Sequence, residues 1–169
     1  MAKFISVGIL FLLVLVSMPL KAQGVRALLG EDSVRFIYIT EAWGQEIGSL
    51  NVEAGVLVTG TDSTKLVNLG VLAQHESQNA ALKLSVGGRL YYTSINSSDA
   101  VLVALGGDLL LNPASWSGFG IGLSYFTAPS VTTFSDADTF TEYSISMSYQ
   151  MTPQANIYFG YQRVNIKLK

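Results

Sequence analysis

Alternation with a period of two runs through most of this chain and limits what it can fold into. In Glu142–Met151 one face carries Tyr143, Ile145, Met147, Tyr149 and Met151, and the other carries Glu142, Ser144, Ser146, Ser148 and Gln150. Successive side chains of a strand point to opposite faces, so this segment is a strand with one apolar and one polar side. Gly118–Phe126 repeats the pattern, with Phe119, Ile121, Leu123 and Tyr125 set against Gly118, Gly120, Gly122 and Ser124. In Leu82–Tyr92, the residues Leu82, Leu84, Val86, Leu90 and Tyr92 alternate with Lys83, Ser85, Gly87, Arg89 and Tyr91. A soluble barrel turns its large apolar groups inward and its charges outward. Here the second face is small and polar, which suits a narrow lumen, and the large aliphatic and aromatic face suits lipid. Strands of about ten residues also match the tilted length of a transmembrane strand.

Composition supports the same class. Charged residues make up 13% of the chain, against roughly 25% in soluble proteins, yet no segment beyond residue 23 is long and apolar enough for a membrane helix. The formal charge is −2 and no basic run exists, so nucleic acid has no electrostatic footprint here. The chain has no cysteine, which excludes a disulfide scaffold and thiolate metal sites. At the N-terminus, Lys3 precedes a stretch from Phe4 to Val16 that is apolar except for Ser6 and Gly8, and Ser17-Met18-Pro19-Leu20-Lys21-Ala22-Gln23 forms an exit. This is the layout of a secretory signal peptide, with cleavage expected after Ala22. Residues 1–22 are therefore expected to be the signal peptide, and residues 23–169 one barrel domain.

Strands are expected near 33–40, 47–59, 65–74, 81–94, 100–111, 117–127, 139–150 and 154–166, with Val25–Leu29 as a short leading strand. Three alternate poorly. Val34, Phe36 and Tyr38 stand against Arg35, Ile37 and Ile39. Val101–Leu111 is apolar on both faces except at Asp108. The last strand alternates through Ile157, Phe159 and Tyr161, and then Val164, Ile166 and Leu168 fall on the other side, as a bulge or emergence from the membrane would produce. Ala128 to Asp138 is the longest connection and is expected outside the cell, since such barrels keep long loops outside and short turns inside. Trp43 and Trp116 then fall near the periplasmic rim and Tyr92, Tyr125, Phe126 and Tyr143 near the outer rim, giving the aromatic belts of two lipid–water boundaries. The strand directions imply a small antiparallel transmembrane β-barrel of eight to ten strands. The ten-stranded design lacks its last strand, because the strand at 154–166 runs outward and closure calls for one more running inward. A soluble periplasmic barrel is the alternative fold.

Glu53, Lys83, Arg89, Asp108 and Glu142 are expected to face the lumen. A barrel of this size is barely wider than its own side chains, so charges inside must pair or meet water. The expectation is an ion-pair network that fills and rigidifies the barrel, with a narrow pore or small-solute site as the alternative. His75-Glu76-Ser77 has hydrolase residue types but lies in an expected turn, and neighbours in an extended chain point apart, so it makes no triad by itself. The two carboxylates in Phe134-Ser135-Asp136-Ala137-Asp138-Thr139 fall short of a dedicated calcium loop and fit a solvated turn. Gly87-Gly88 and Gly106-Gly107 lack nucleotide-loop spacing and fit tight curvature or close backbone approach. No catalytic residue, metal or cofactor is expected, and a lipid-modifying envelope enzyme is the least favoured function.

The second half resembles the YfaZ family of outer-membrane proteins. The matching stretches are Gly87-Gly88-Arg89-Leu90-Tyr91-Tyr92, Leu105-Gly106-Gly107-Asp108-Leu109, Tyr125-Phe126-Thr127-Ala128-Pro129, Phe134-Ser135-Asp136-Ala137-Asp138 and the run from Tyr149 to Arg163. Their order and spacing over residues 80–165 carry the resemblance. It implies a barrel of structural or accessory role in the outer membrane of a Gram-negative bacterium, and no catalytic motif. The partners so implied are outer-membrane lipid and lipopolysaccharide, with the barrel-assembly machinery during biogenesis. Members of the family continue to a final strand ending in an aromatic residue, and this sequence, which stops at Lys169, departs from that pattern, in line with the strand that the directions expect to be missing.

Overall fold

Side chains that alternate in chemistry along the sequence alternate in space around a closed wall. The structure is a computed structural model and describes residues 21–45, 48–59, 65–77, 81–95, 98–135, 137–152 and 155–168. Its strands are β1 (Lys21–Leu29), β2 (Ser33–Gln45), β3 (Gly48–Thr59), β4 (Lys65–Glu76), β5 (Leu82–Ile95), β6 (Ser98–Leu111), β7 (Phe119–Ala128), β8 (Thr133–Ser135), β9 (Ala137–Thr152) and β10 (Ala155–Leu168). All except β8 join a ring of nine, each hydrogen-bonded to the next in the chain. The expected signal peptide lies outside the described residues up to residue 20, and Lys21 and Ala22 open β1.

The ring closes without a tenth strand. Gly24–Leu29 of β1 pair in parallel with Asn156–Tyr161 of β10, while every other neighbour in the wall is antiparallel. An odd number of up-and-down strands brings the first and last into the same direction. A parallel ladder satisfies the backbone there as well, with slanted and slightly weaker bonds. The expectation that closure needs one more inward strand is corrected on this point.

The connection at 129–136 shares one end of the barrel, the loop end, with the β1–β2 turn. The β6–β7 and β9–β10 connections lie at the other, the turn end. Around the wall the outward face is apolar. Leu84, Val86, Ile121, Leu123, Ile145 and Met147 are all exposed. The strands that alternate poorly keep a regular phase in space. β10 has no bulge between Asn156 and Lys167, so its switch at Val164 reflects a change of surroundings. Beyond Tyr161 the outward residues become Arg163, Asn165 and Lys167, and Val164 and Ile166 pack inward on an apolar cluster.

That cluster is the second departure from expectation. The inner face is small and polar on β7 and β9, where Gly120, Gly122, Ser144, Ser146 and Ser148 are buried. Towards the loop end, however, the lumen is filled by Leu57, Leu66, Tyr91, Leu102, Phe126 and Phe140. β6 is apolar on both faces because its inner residues Ala100, Leu102 and Ala104 belong to this plug. β7 pairs with β6 only from Leu105 inward, and β8 fills the gap beyond, pairing Thr133–Ser135 with Ala100–Leu102.

A Cβ on Gly106 would meet the Tyr125 carbonyl oxygen at 2.0 Å and the Phe126 Cα at 2.7 Å, whereas the nearest atom at Gly88 is 3.5 Å away. Gly106→Ala is expected to destabilise the barrel by about 1–3 kcal/mol, as overpacking does, and Gly88→Ala to be tolerated. Urea titration of the refolded protein in micelles checks this, and equal losses would contradict the close approach. Val25→Cys with Ile157→Cys, partners across the parallel seam, is expected to form a disulfide on oxidation, while Val25→Cys with Tyr161→Cys is not. The reverse result on mass spectrometry would rule out the register.

Candidate functional site

Below the apolar plug, the middle of the lumen holds an ion-pair network. Arg89 enters from β5 at 0% exposure. Its Nε and Nη2 donate to the two carboxylate oxygens of Glu53 on β3, the second bond at 3.0 Å. Its Nη1 donates to Glu142 on β9 at 2.9 Å, and Nη2 also reaches Asp108 on β6 at 3.3 Å. Arg35 on β2 pairs with the other oxygen of Glu142 and donates to Asn68 Oδ1 on β4 at 2.7 Å. Arg26 on β1 pairs with Asp108 at 3.1 Å. The Tyr91 hydroxyl donates to Glu142 at 2.9 Å. Three guanidinium groups thus meet three carboxylates, and the buried charges of the network sum to zero. Desolvated charges are tolerated when they are paired and their remaining hydrogen-bonding capacity is used.

Aromatic faces complete the arginine sites. The Arg89 guanidinium lies 3.6 Å from the Phe126 ring centroid, Arg26 lies 4.9 Å from Tyr158 and Arg35 lies 5.6 Å from Tyr91. A planar guanidinium stacks on a ring while its edge donates to carboxylates. Gly106 makes room for this arrangement, because a Cβ there would meet Phe126 Cδ1 at 2.9 Å. With Phe126 from β7 and Tyr158 from β10, every strand of the ring contributes to the network. At the turn end a cavity of 40 Å³, lined by Arg26, Asn51, Glu53, Gln74, Lys83 and Asp108 among others, has room for a few waters.

The structure brings together four of the five charges expected inside, namely Glu53, Arg89, Asp108 and Glu142. Lys83 stands apart. It faces inward at the turn-end rim, where its Nζ lies 3.3 Å from Glu76 with both side chains partly exposed. Arg26 and Arg35 are missing from the expected set, although the sequence places an arginine opposite the apolar face in both strands. Of the six expected rim aromatics, Trp43, Trp116, Tyr92, Tyr125 and Tyr143 are exposed and outward. Phe126 is corrected: it is fully buried in the lumen, in phase with Gly120, Gly122 and Ser124. Phe119 and Tyr149, outward near the turn end with ring centroids 4.9 Å apart, join the aromatics there.

His75 and Glu76 close β4 instead of lying in the expected turn. Glu76 is paired with Lys83, and Ser77 Oγ accepts the amide of Leu82 at 3.1 Å. Asp136 lies outside the described residues. Among the described residues no group of three or more potential metal ligands occurs.

Arg89→Leu leaves Glu53 without its ion-pair partner and takes one of two cations from Glu142, which keeps Arg35, and from Asp108, which keeps Arg26. It is expected to cost about 3–5 kcal/mol, the range for breaking a buried pair from one side. Lys83→Leu removes a half-exposed pair and is expected to cost less than about 1 kcal/mol. Urea midpoints of both variants test the contrast, and a mild Arg89 variant would show that the network does not hold the barrel.

A family model described as YfaZ precursor matches residues 1–169, the whole chain. No curated protein and no solved structure matches. The closed barrel agrees with what the motifs of the second half implied, and the match extends over the first half as well: the chain belongs to the YfaZ family.

Proposed function

We propose that this protein is an integral outer-membrane barrel of structural or accessory role, with a sealed lumen and no catalytic activity. The observation that carries the reading is the inverted wall. Large apolar side chains cover the outside of every strand in the ring, and the charges of the network are turned in. Soluble monomers rarely expose contiguous apolar patches beyond a few hundred Å², whereas a hydrocarbon surround calls for such a wall and for closed backbone pairing. Trp43 and Trp116 near one end and Tyr92, Tyr125 and Tyr143 near the other fit the two interfaces of a bilayer. In this orientation the loop end faces outside. The surroundings are outer-membrane lipid and lipopolysaccharide, and the barrel-assembly machinery is the partner during biogenesis.

A narrow pore is the second reading, since polar groups do line part of the lumen. The apolar plug and the paired charges favour a sealed barrel over it. A lipid-modifying enzyme is the least favoured reading, since Glu76 is engaged by Lys83 and Ser77 Oγ accepts the Leu82 amide.

Fractionated cells are expected to yield the protein in the outer membrane, resistant to urea extraction and migrating faster on gels unboiled than boiled. Recovery in the soluble periplasm would sink the reading. In planar bilayers the wild type is expected to give no discrete conductance, and regular steps abolished by Arg89→Ala would favour the pore instead.

A further inference from the structure

β10 outlasts its partner on one side. β1 covers that edge only from Asn156 to Tyr161, whereas β9 stays paired with the other edge as far as Leu168. The carbonyls of Asn156 and Gln162 lie 2.9 and 3.5 Å from Cβ positions built on Gly24 and Gly30, so the even-numbered residues of β10 turn their backbone toward this side. Backbone groups of Val164 and Ile166 therefore face an edge that no described strand covers. A cleft of 440 Å³ opens beside it, with Leu57, Leu66, Val164 and Ile166 along its wall and Glu31 and Asp32 at the β1–β2 turn. Gln162 also lines the cleft. It is 1% exposed, and neither polar atom of its side-chain amide has a hydrogen-bond partner among the described residues.

The same ring shows how such an edge is closed. β6 runs past the end of β7, and β8 pairs with the projecting residues. We propose that the edge of β10 over Gln162–Leu168 takes an added strand in the same way, an extended segment of another polypeptide running antiparallel to β10. Its inward residues are apolar, to pack on Leu57, Leu66, Val164 and Ile166. Its outward residues are acidic, to stand beside Arg163 and Lys167, which are exposed and make no ion pair among the described residues. Cross-strand pairs of opposite charge stabilise a ladder, and main-chain bonds give an added strand its affinity. A second copy is not the occupant, because pairing β10 with another β10 would bring the exposed Arg163 and Lys167 of one copy against the same cations of the other. A lipid chain would satisfy neither the backbone groups nor the Gln162 amide.

The test uses the full barrel, nitrogen-15 labelled and refolded in micelles, with an acetylated and amidated heptapeptide that alternates valine with glutamate and ends on lysine. Saturable shifts are expected at the amides of Val164 and Ile166, with hydrogen exchange there slowed by about tenfold or more. The peptide methylated at the amides that face β10 is expected to leave both unchanged. Combining Arg163→Glu with Lys167→Glu, on the outward face away from the ion network, is expected to weaken binding by about tenfold through like-charge contact. Slow exchange at Val164 and Ile166 before peptide is added would mean that the edge is already covered, by more of this chain or by detergent, and would overturn the proposal. Equal binding of the methylated peptide would also overturn it, as a side-chain groove rather than a strand site. A barrel that stays monomeric and soluble without detergent would remove the membrane reading and leave this one standing.

Discussion

The Arg89 guanidinium, fully buried and shared among Glu53, Glu142 and Asp108, is the contact on which the rest of the barrel depends. A charge in that position is intolerable without its partners, and two of them, Glu53 on β3 and Glu142 on β9, come from strands that are not neighbours of β5 in the wall. Pairing them therefore fixes the height and the face of each strand relative to the others. This matters because the wall itself is poorly specified in places. The stretches around Gly87-Gly88 and Gly106-Gly107 are rich in glycine, and such strands slip register easily. A slip of one residue in β5 would turn Arg89 out to the apolar surface, leave Glu53 unpaired inside and leave the buried network with a net negative charge. Buried ion pairs add little net stability against apolar packing of the same volume. Their value here lies in excluding the wrong registers.

The wall and the network divide the work between non-directional and directional forces. Outside, valine, leucine and isoleucine need only be apolar. Inside, three layers differ in kind: an apolar plug at the loop end, paired charges in the middle and a small polar cavity at the turn end. Glycine and serine on β7 and β9 are what let three arginines and their stacked rings fit within so narrow a ring.

Much of this was legible in the sequence, for a simple reason. A period of two is a local signal, and β5, β7 and β9 carry it cleanly enough to assign Arg89 and Glu142 to the lumen without any neighbour. Arg35 was hidden because the inner face of β2 also carries Ile37, which packs inside, so the strand looked irregular. Arg26 sits in a short strand with little alternation to read. Phe126 stands near the end of its strand, where a rim aromatic is expected, but its phase with Gly120, Gly122 and Ser124 turns it into the lumen. Lys83 had the correct face but the wrong height, and height along the axis depends on how strands stagger, which no single strand encodes. The apolar residues inside β6 and β10 were equally opaque, since a lumen that changes from polar to apolar along its length breaks the two-colour pattern. β8 gives no signal at all in three residues; it exists because β6 offers it an edge.

The parallel seam bears on how the barrel comes into being. It joins segments about 130 residues apart in the chain, and contacts of such separation demand that most of the conformational freedom between them be given up before they form. Every antiparallel neighbour can zip from its own turn; the seam has no turn to start from. Closure is thus the last and most entropically expensive event of assembly, and until it happens β1 presents a bare backbone edge along its length and β10 along its own. The nascent sheet must be sheltered through that interval, which makes the time to closure, more than the stability of the finished ring, the quantity on which successful assembly turns.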